Sequence, residues 1–228
     1  MKILITSGGT TESIDAVRGI TNHASGALGK RIAERFLSQG HQVTLVTTQQ
    51  ALKPQKQANL DIHIITDVAS LMATLEPLVK THDVFIHSMA VSDYTPVYMT
   101  DFEALEKLDN PRQLLAKTNS EKKISSAADY QVLLLKKTPK VISYIKEWNP
   151  EIHLIGFKLL VDVSQDELFK IARQSLHKNQ ADFIVANDLK QISGNDHLAY
   201  LVDESSEEVA RTKQEIADRI YERVISHA

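Results

Sequence analysis

The hydrophobic positions of this chain alternate between short apolar runs and segments with helical spacing. Apolar runs predict strands at residues 2–6, 42–47, 62–65, 83–88, 131–135, 154–157 and 183–186, and a C-terminal hairpin at 199–202 and 208–211. Helical spacing predicts helices at 28–38, 68–80, 140–148 and 164–178, and a final helix from about residue 212. This alternation predicts an α/β fold with a doubly wound, mostly parallel sheet between two helical layers.

A polar stretch interrupts the pattern between residues 95 and 126. It contains Pro96, Pro111 and a short helical segment at 102–108. Connections of this length inside a compact domain are usually lids or binding loops. We therefore predict one Rossmann-like domain over residues 1–228, with this stretch as a lid or dimerisation flap.

The opening of the chain carries the strongest candidate for a binding site. Ser7-Gly8-Gly9-Thr10 follows the first strand, and a polar loop then leads to Ser25-Gly26-Ala27-Leu28-Gly29. Ser25 is the predicted N-cap of the first helix, and glycines there let an anion approach the helix N-terminus. The spacing fits neither the G-x-G-x-x-G fingerprint nor a P-loop. An ordinary Gly-rich turn before a helix remains the alternative.

Composition narrows the class of protein. The net charge is -3, with 43% hydrophobic and 24% charged residues, so we expect no nucleic-acid partner. No apolar run reaches the roughly 20 residues that a membrane span needs, and no signal peptide is evident. The chain has no cysteine, which excludes disulfides, thiolate metal ligands and a cysteine nucleophile. A cytoplasmic enzyme fits this composition.

The motif SGGTTESID…VRGITNHASGALG resembles the signature of phosphopantothenate–cysteine ligase, an enzyme of coenzyme A biosynthesis. That signature reads SGGTxExID-x-VRxIxNxSSGxxG, so Ala24 departs from its first Ser. Later segments also match: Ala90-Val91-Ser92-Asp93-Tyr94 for AVADY, the pair Lys123-Ile124, Gly156-Phe157, and Ala186-Asn187. The resemblance covers nearly the whole chain and implies the ligase domain alone, without a flavin-dependent decarboxylase domain.

The resemblance implies a role for each candidate residue. Asn22 and Lys123 are the catalytic candidates: Asn22 covers the acyl-nucleotide intermediate, and Lys123 holds the triphosphate and that intermediate. The substrate candidates are Arg18, Asn22, Met89 and Ala90. The nucleotide candidates are Gly8, Gly9, Ser25, Gly26, Gly29, Ser88, Asp93, Lys123, Pro139, Phe157 and Asn187. Asp93, just beyond a predicted strand, is also the candidate metal ligand. Without the resemblance, ordinary structural roles would explain these residues equally well. Phe157 could be a core residue, Asn22 and Asn187 could be turn residues, and Asp93 and Lys123 could be solvated surface charges.

The implied reaction joins phosphopantothenate to L-cysteine through an acyl-nucleotide intermediate. CTP is favoured over ATP as the co-substrate, with Mg²⁺ and without a flavin. A homodimer is also implied. Arg173 and Lys178 are approximate phosphate-binding candidates on the 164–178 helix.

Two alternative functions stay open. A nucleotide-sensing module would explain the Gly-rich loop without catalysis, and an NAD(P)-dependent oxidoreductase would share the sheet, although its glycine fingerprint is absent.

Overall fold

A computed structural model describes residues 1–193 and 196–226. In chain order the strands are Lys2–Ser7 (β1), Thr11–Ser13 (β2), Gly19–Thr21 (β3), Gln42–Thr47 (β4), Leu60–Ile64 (β5), Val84–His87 (β6), Tyr94–Asp101 (β7), Gln131–Lys137 (β8), His153–Leu160 (β9), Phe183–Ser193 (β10), Asp196–Val202 (β11) and Glu207–Thr212 (β12). The helices are Ala27–Ser38 (α1), Val68–Val79 (α2), Phe102–Glu106 (α3), Ile145–Trp148 (α4), Gln165–Asn179 (α5) and Lys213–Ser226 (α6).

The central sheet has eight strands in the order β12-β11-β10-β9-β6-β1-β4-β5. The strands from β10 to β5 run parallel, while β11 and β12 form an antiparallel hairpin at one edge. Helices α1 and α6 cover one face, and α2, α4 and α5 cover the other. The predicted three-layer, doubly wound sheet and its C-terminal hairpin are therefore confirmed.

The core explains why β1 is apolar at consecutive positions. Ile3 and Ile5 pack toward α1 and α6, whereas Leu4 packs toward α2, and all three are fully buried. A parallel strand with helices on both faces must be hydrophobic on both sides. In α1 only one face is buried, and Ile32 and Phe36 on that face have no exposed surface. Burying each such side chain contributes about 1.5–3 kcal/mol.

Two local predictions are wrong in detail. Gly26, not Ser25, occupies the N-cap of α1, with φ 76° and no side-chain cap. Glycine adopts this left-handed conformation without the steric cost that a Cβ imposes. The predicted helix at 140–148 is a 3₁₀ turn, Val141–Tyr144, followed by the short α4. β-branched residues disfavour a regular helix there, and Pro150 prevents its continuation. The predicted N-cap Ser164 of α5 is confirmed.

The stretch at 95–126 begins as a strand, which the sequence pattern did not reveal. Strand β7 pairs with β8 in a separate antiparallel sheet, from Tyr94 opposite Lys137 to Asp101 opposite Gln131. The predicted strand at 131–135 therefore belongs to this sheet and not to the central one. We call residues 94–137 the arm; its far end carries α3 and a 3₁₀ turn at Pro111–Ala116.

A second small hairpin lies in the polar loop after β1, where β2 pairs with β3. Thr11 donates its N–H to the carbonyl of Thr66 at 2.7 Å, which attaches the hairpin to the central domain. Within residues 1–193 and 196–226, none of the helices combines the length and apolar character that crossing a membrane requires.

Candidate active site

The carboxyl ends of β1 and β6 form the centre of the candidate site. These strands are neighbours, but the chain leaves β1 toward β4 on one side and β6 toward β9 on the other. Ligands of open α/β sheets bind at such a switch point. Beyond the sheet the two segments stay joined, because Ala90 donates its N–H to Gly8 O at 2.9 Å and accepts from Thr10 N at 3.1 Å.

The glycines bring the N-terminus of α1 directly onto these strand ends. Gly8 has φ 87°, so the chain turns there in a conformation that few side chains adopt. A Cβ on Gly29 would lie 2.5 Å from Ser7 Oγ and 2.9 Å from Ser88 Oγ. Only glycine permits this contact between helix and strands. The positive end of the helix dipole therefore faces the crevice, which suits an anionic ligand.

Asn22 returns to this crevice from the β2–β3 hairpin. A Cβ on Gly9 would lie 2.5 Å from Asn22 O, so Gly9 permits the close approach of the two backbones. The exposed Asn22 lines an open cleft of about 710 Å³ together with Gly9, Ser25 and Ala51. His23, which carries no predicted role, lines the same cleft. The structure thus brings together Gly8, Gly9, Asn22, Ser25, Gly26, Gly29, Ser88 and Ala90.

A second pocket is lined by residues of the segment that follows β6. Four candidate residues line this smaller cavity of about 130 Å³, and they are Met89, Asp93, Pro139 and Phe157. Two lysines, Lys140 and Lys158, also line it. We call residues 88–93 the wall of this pocket. Ala90 within it is hydrogen-bonded to Gly8 and Thr10, so the wall is joined to the glycine turn that borders the cleft.

Charge at the second pocket is balanced at its rim. Lys140 Nζ lies 3.3 Å from Asp93 Oδ1, and both side chains are well exposed. Asp93 therefore remains accessible to a metal ion. No cluster of three or more acidic or histidine side chains suited to a metal occurs in the described part of the chain. This donor set fits Mg²⁺ that arrives with a nucleotide, since Mg²⁺ commonly takes one or two carboxylates plus phosphate oxygens and water.

His87 forms part of the wall of the second pocket and is almost fully buried. Its Nδ1 lies 2.7 Å from Thr6 Oγ1, and its ring stacks on Phe85. Burial first, and then the positive charge of Lys140, lower the pKa of His87 to about 4. The ring is therefore neutral near pH 7 and adds no charge to the pocket.

Arg18 and the segment that carries Lys123 meet at the turn of the β2–β3 hairpin. The guanidinium of Arg18 is paired with Asp15 and donates to the carbonyl of Ile124 at 2.9 Å. Lys123 is exposed on the segment that this bond holds. Asn22 follows β3, so three residues of strand, about 10 Å, separate the turn from the cleft.

Asn187 lies apart from the other candidates. It is buried within β10 and donates from Nδ2 to Nε2 of His197 at 3.1 Å. It lines neither the cleft nor the second pocket. Arg173 likewise points elsewhere, because it pairs with Glu207 and donates to the carbonyl of Asp203.

Sequence reasoning missed three side chains that hold the site together. Glu12 is buried and accepts from Val68 N at 2.8 Å, which fixes β2 against the start of α2. Thr10 Oγ1 donates to Ser92 Oγ at 3.0 Å and ties the glycine turn to the 88–93 wall. Asp15 anchors the turn of the hairpin. Glu12 and Asp15 stand inside the opening motif, but nothing local distinguishes them from solvated loop acids.

Comparison with known proteins agrees with this architecture. The sequence matches, over residues 1–115 and 113–227, the family described as DNA/pantothenate metabolism flavoprotein C-terminal domain. The chain belongs to this family. The family resemblance found in the opening motif is thereby confirmed. A crystal structure of the DNA/pantothenate metabolism flavoprotein from Streptococcus pneumoniae is 54% identical over 100% of both chains, with a TM-score of 0.96.

Two further matches show how far the similarity extends. The coenzyme A biosynthesis bifunctional protein CoaBC of Thermococcus kodakarensis is 30% identical over 225 residues, which are 98% of this chain and 50% of that protein. This chain thus spans about half the length of such curated relatives. The structure of a Cab2 mutant in complex with phosphopantothenate-cysteine has a TM-score of 0.74 over 99% of this chain and 88% of that one. At 18% identity this last likeness shows a shared fold only.

Proposed function

We propose that this chain is a phosphopantothenate–cysteine ligase, which forms phosphopantothenoylcysteine through an acyl-nucleotide intermediate. One observation carries the proposal: the opening motif folds so that Asn22 and the N-terminus of α1 face one crevice. The 88–93 wall is hydrogen-bonded to the glycine turn beside this crevice, and it lines the pocket of Asp93, Pro139 and Phe157. An anionic substrate and a nucleotide can therefore be held side by side.

The comparisons support the same substrate class. The Thermococcus relative is named for coenzyme A biosynthesis, and the Cab2 mutant was crystallised with phosphopantothenate-cysteine. The product named there contains the amide bond that the proposed reaction makes. Family membership and the fold agree with this proposal, while the roles of individual residues are those that the resemblance implies.

The first step activates the carboxylate of phosphopantothenate. A carboxylate oxygen attacks the α-phosphorus of a nucleoside triphosphate, a new P–O bond forms, and pyrophosphate leaves. Both reactants are anions, so charge neutralisation and alignment are the main requirements. The N-terminus of α1 and Lys123 supply positive charge, and Asp93 is placed to bind Mg²⁺ carried by the triphosphate.

The second step makes the amide. The amine of cysteine attacks the acyl carbon and forms a C–N bond. The bond between the acyl carbon and the bridging phosphate oxygen breaks, nucleoside monophosphate leaves, and the amine loses a proton. Water would compete with cysteine for the activated acyl group. We propose that the Asn22 loop and the arm exclude it from the crevice.

We also propose CTP, in preference to ATP, as the nucleotide, and its base would lie in the second pocket beside Phe157. The whole chain would form one functional domain.

We propose a homodimer as the active form. Three large apolar side chains support self-association, since Val17, Leu115 and Tyr130 are each more than 70% exposed. Contiguous exposed apolar surface is typical of a protein interface, and we propose that these three residues, on the arm and on the hairpin turn to which it is fastened, contribute to one.

Pyrophosphate release tests the proposal. Wild-type protein is given phosphopantothenate and Mg²⁺ with CTP or ATP, with and without cysteine. Release with CTP, and amide product only when cysteine is present, are expected. The Asn22→Asp variant should release pyrophosphate but form at least about tenfold less amide, because a negative charge replaces the amide donor beside the intermediate.

Asn110→Asp is the matched control. It makes the same chemical change at an exposed position that caps the 3₁₀ turn of the arm, and it should behave as wild type. Folded wild-type protein that releases no pyrophosphate with either nucleotide would refute the ligase assignment. Nucleotide-dependent thermal stabilisation without turnover would then favour the sensing module.

A further inference from the structure

The segment that carries Lys123 is fastened to the turn of the β2–β3 hairpin on both sides of the lysine. Before it, Ala16 donates its N–H to the carbonyl of Lys122 at 2.9 Å. After it, Ile124 N donates to Asp15 Oδ2 at 3.1 Å, and the guanidinium of Arg18 donates to Ile124 O at 2.9 Å. Ile124 is also buried. The backbone of Lys123 is therefore fixed while its side chain stays exposed.

Asp15 is the centre of this junction. Its carboxylate accepts from the N–H groups of Val17 and Arg18 at 2.9 and 2.8 Å, and from Arg18 Nε and Nη2 at 3.0 and 2.6 Å. Together with Ile124 N, these donors leave the side chain of Asp15 without exposed surface. One ionised carboxylate thus joins a turn near the start of the chain to a segment more than a hundred residues later.

The charge state of Asp15 agrees with this role. The hydrogen bond from Arg18, followed by that from Val17 N, holds the pKa of Asp15 below its usual range. The carboxylate stays ionised under ordinary conditions and can act as acceptor for all of these donors. The carboxylate uses Oδ1 for the N–H groups of Val17 and Arg18, and Oδ2 for the guanidinium and the Ile124 N–H. A neutral amide of the same size offers one acceptor oxygen, so one of these two sets of donors would lose its acceptor.

We propose that Asp15 is a positioning residue, which holds Lys123 in place relative to Asn22 by fastening the lysine's segment to the hairpin. The proposal rests on the proposed ligase function. Asn22 and Asp15 lie on the same hairpin, so the two catalytic candidates share one support. Misplacing a catalytic group by about 1 Å can cost on the order of 100-fold in rate.

A double-mutant cycle tests whether Asp15 acts through Lys123. Asp15→Asn is made in the wild type and in the Lys123→Ala variant, and kcat/KM is measured from pyrophosphate release. We expect Asp15→Asn to lower kcat/KM by about 10–100-fold in the wild type and by less than about twofold when Lys123 is absent. Equal losses in both backgrounds, or no loss in either, would overturn the proposal.

Asp203→Asn is the matched control. Asp203 holds its own turn in the same manner, accepting from Ser205 N, Ser206 N and the guanidinium of Arg223, in the loop between β11 and β12. It touches neither the hairpin nor the arm. This variant should keep wild-type kcat/KM, so a comparable loss would show that breaking any such turn lowers activity.

Hydrogen exchange separates this proposal from the ligase assignment, because it needs no turnover. In Asp15→Asn the amides of Ala16 and Ile124 should exchange at least about tenfold faster, while those of β1 and α1 keep their wild-type protection. Unchanged exchange at Ile124 would overturn the positioning role even in an active enzyme. If wild-type protein released no pyrophosphate, the ligase proposal would fail, and exchange would still decide whether Asp15 fastens the segment.

Discussion

Gly29 lies where the first turn of α1 crosses the ends of β1 and β6. A methyl group there would lie 2.6 Å from the Cβ of Ser7, which belongs to strand β1 and cannot move aside easily. It would also lie close to the hydroxyl oxygens of Ser7 and Ser88. We expect Gly29→Ala to push α1 off the sheet and to lower the free energy of unfolding by about 1–3 kcal/mol. Urea denaturation measures this loss, and pyrophosphate release should fall because the crevice widens.

Lys30→Ala is the control for that prediction. Lys30 is the next residue of the same helical turn, and its side chain forms a long ion pair with Glu34, at 3.6 Å. Its replacement should change stability by less than about 0.5 kcal/mol. A Gly29→Ala protein as stable and active as the control would mean that the helix tolerates displacement, and the close packing would lose its assigned role.

His87 makes stability depend on pH. The folded protein holds its pKa at about 4, against an ordinary value of 6.5, so the unfolded chain binds a proton in this range that the folded chain does not. Stability should therefore fall as the pH drops from about 6.5 to 4, by up to about 3 kcal/mol from this residue. Above pH 6.5 both states are neutral, and the effect vanishes.

Denaturant titrations of His87→Gln at several pH values check this expectation. The variant should lose stability less steeply between pH 6.5 and 4, although His197, whose pKa burial also lowers to about 4, keeps part of the slope. Equal slopes in the wild type and in His87→Gln would show that the His87 ring is protonated in the folded state or accessible to water.

The role of a single residue could be predicted where only one residue type can occupy the position. Gly8, Gly9, Gly26 and Gly29 stood out in the sequence because glycine is required for turns and close contacts. Glu12 and Asp15 did not, since their roles depend on Val68 and Ile124, which are distant in the chain. The burial of Asn187 beside His197 likewise follows from tertiary contacts alone.

The arm is the element that least resembles its predicted form. Its strands lie outside the central sheet, so β7 lacks the continuous apolar run that identifies β1 or β6. The strand at 131–135 was visible, but its partner and its sheet were not, because pairing depends on register with β7. Buried parallel strands and long amphipathic helices were predicted well for the opposite reason, since each carries its own periodic signal.

Replacing residues 102–130 with an Asn-Gly turn tests the independence of the arm. Asp101 and Gln131 are directly paired, so a two-residue turn can close the shortened hairpin. We expect the central sheet to fold with a Tm no more than about 5 °C lower, because few buried side chains are removed. Pyrophosphate release should be lost together with Lys123.

Lys123→Ala in the intact arm is the comparison for that deletion. Both proteins should release pyrophosphate much more slowly than wild type, while only the deletion should change the thermal unfolding curve. Circular dichroism follows unfolding in each case. A shortened protein that unfolds without a cooperative transition would show that the arm is part of the domain core, contrary to the separation of the two sheets.

At the scale of the whole molecule, the arm and the hairpin turn expose the apolar residues that support a dimer. Leu115 is 71% exposed and Tyr130 is 74% exposed, both on the arm. We expect wild-type protein to be dimeric by light scattering and Leu115→Asp/Tyr130→Asp to be monomeric, because burying two new carboxylates at an interface is costly. The Tm of the monomeric variant should become independent of protein concentration.

Val209→Asp distinguishes the arm from the other exposed edge of the molecule. Val209 lies on β12, the outermost strand of the central sheet, and is 42% exposed. A dimer built by pairing such edge strands would dissociate in Val209→Asp and persist in the arm variant. The arm interface requires the reverse result. Monomeric wild-type protein would remove self-association from the proposal, while the cleft, the second pocket and the Asp15 junction all lie within one chain and would retain their assigned chemistry.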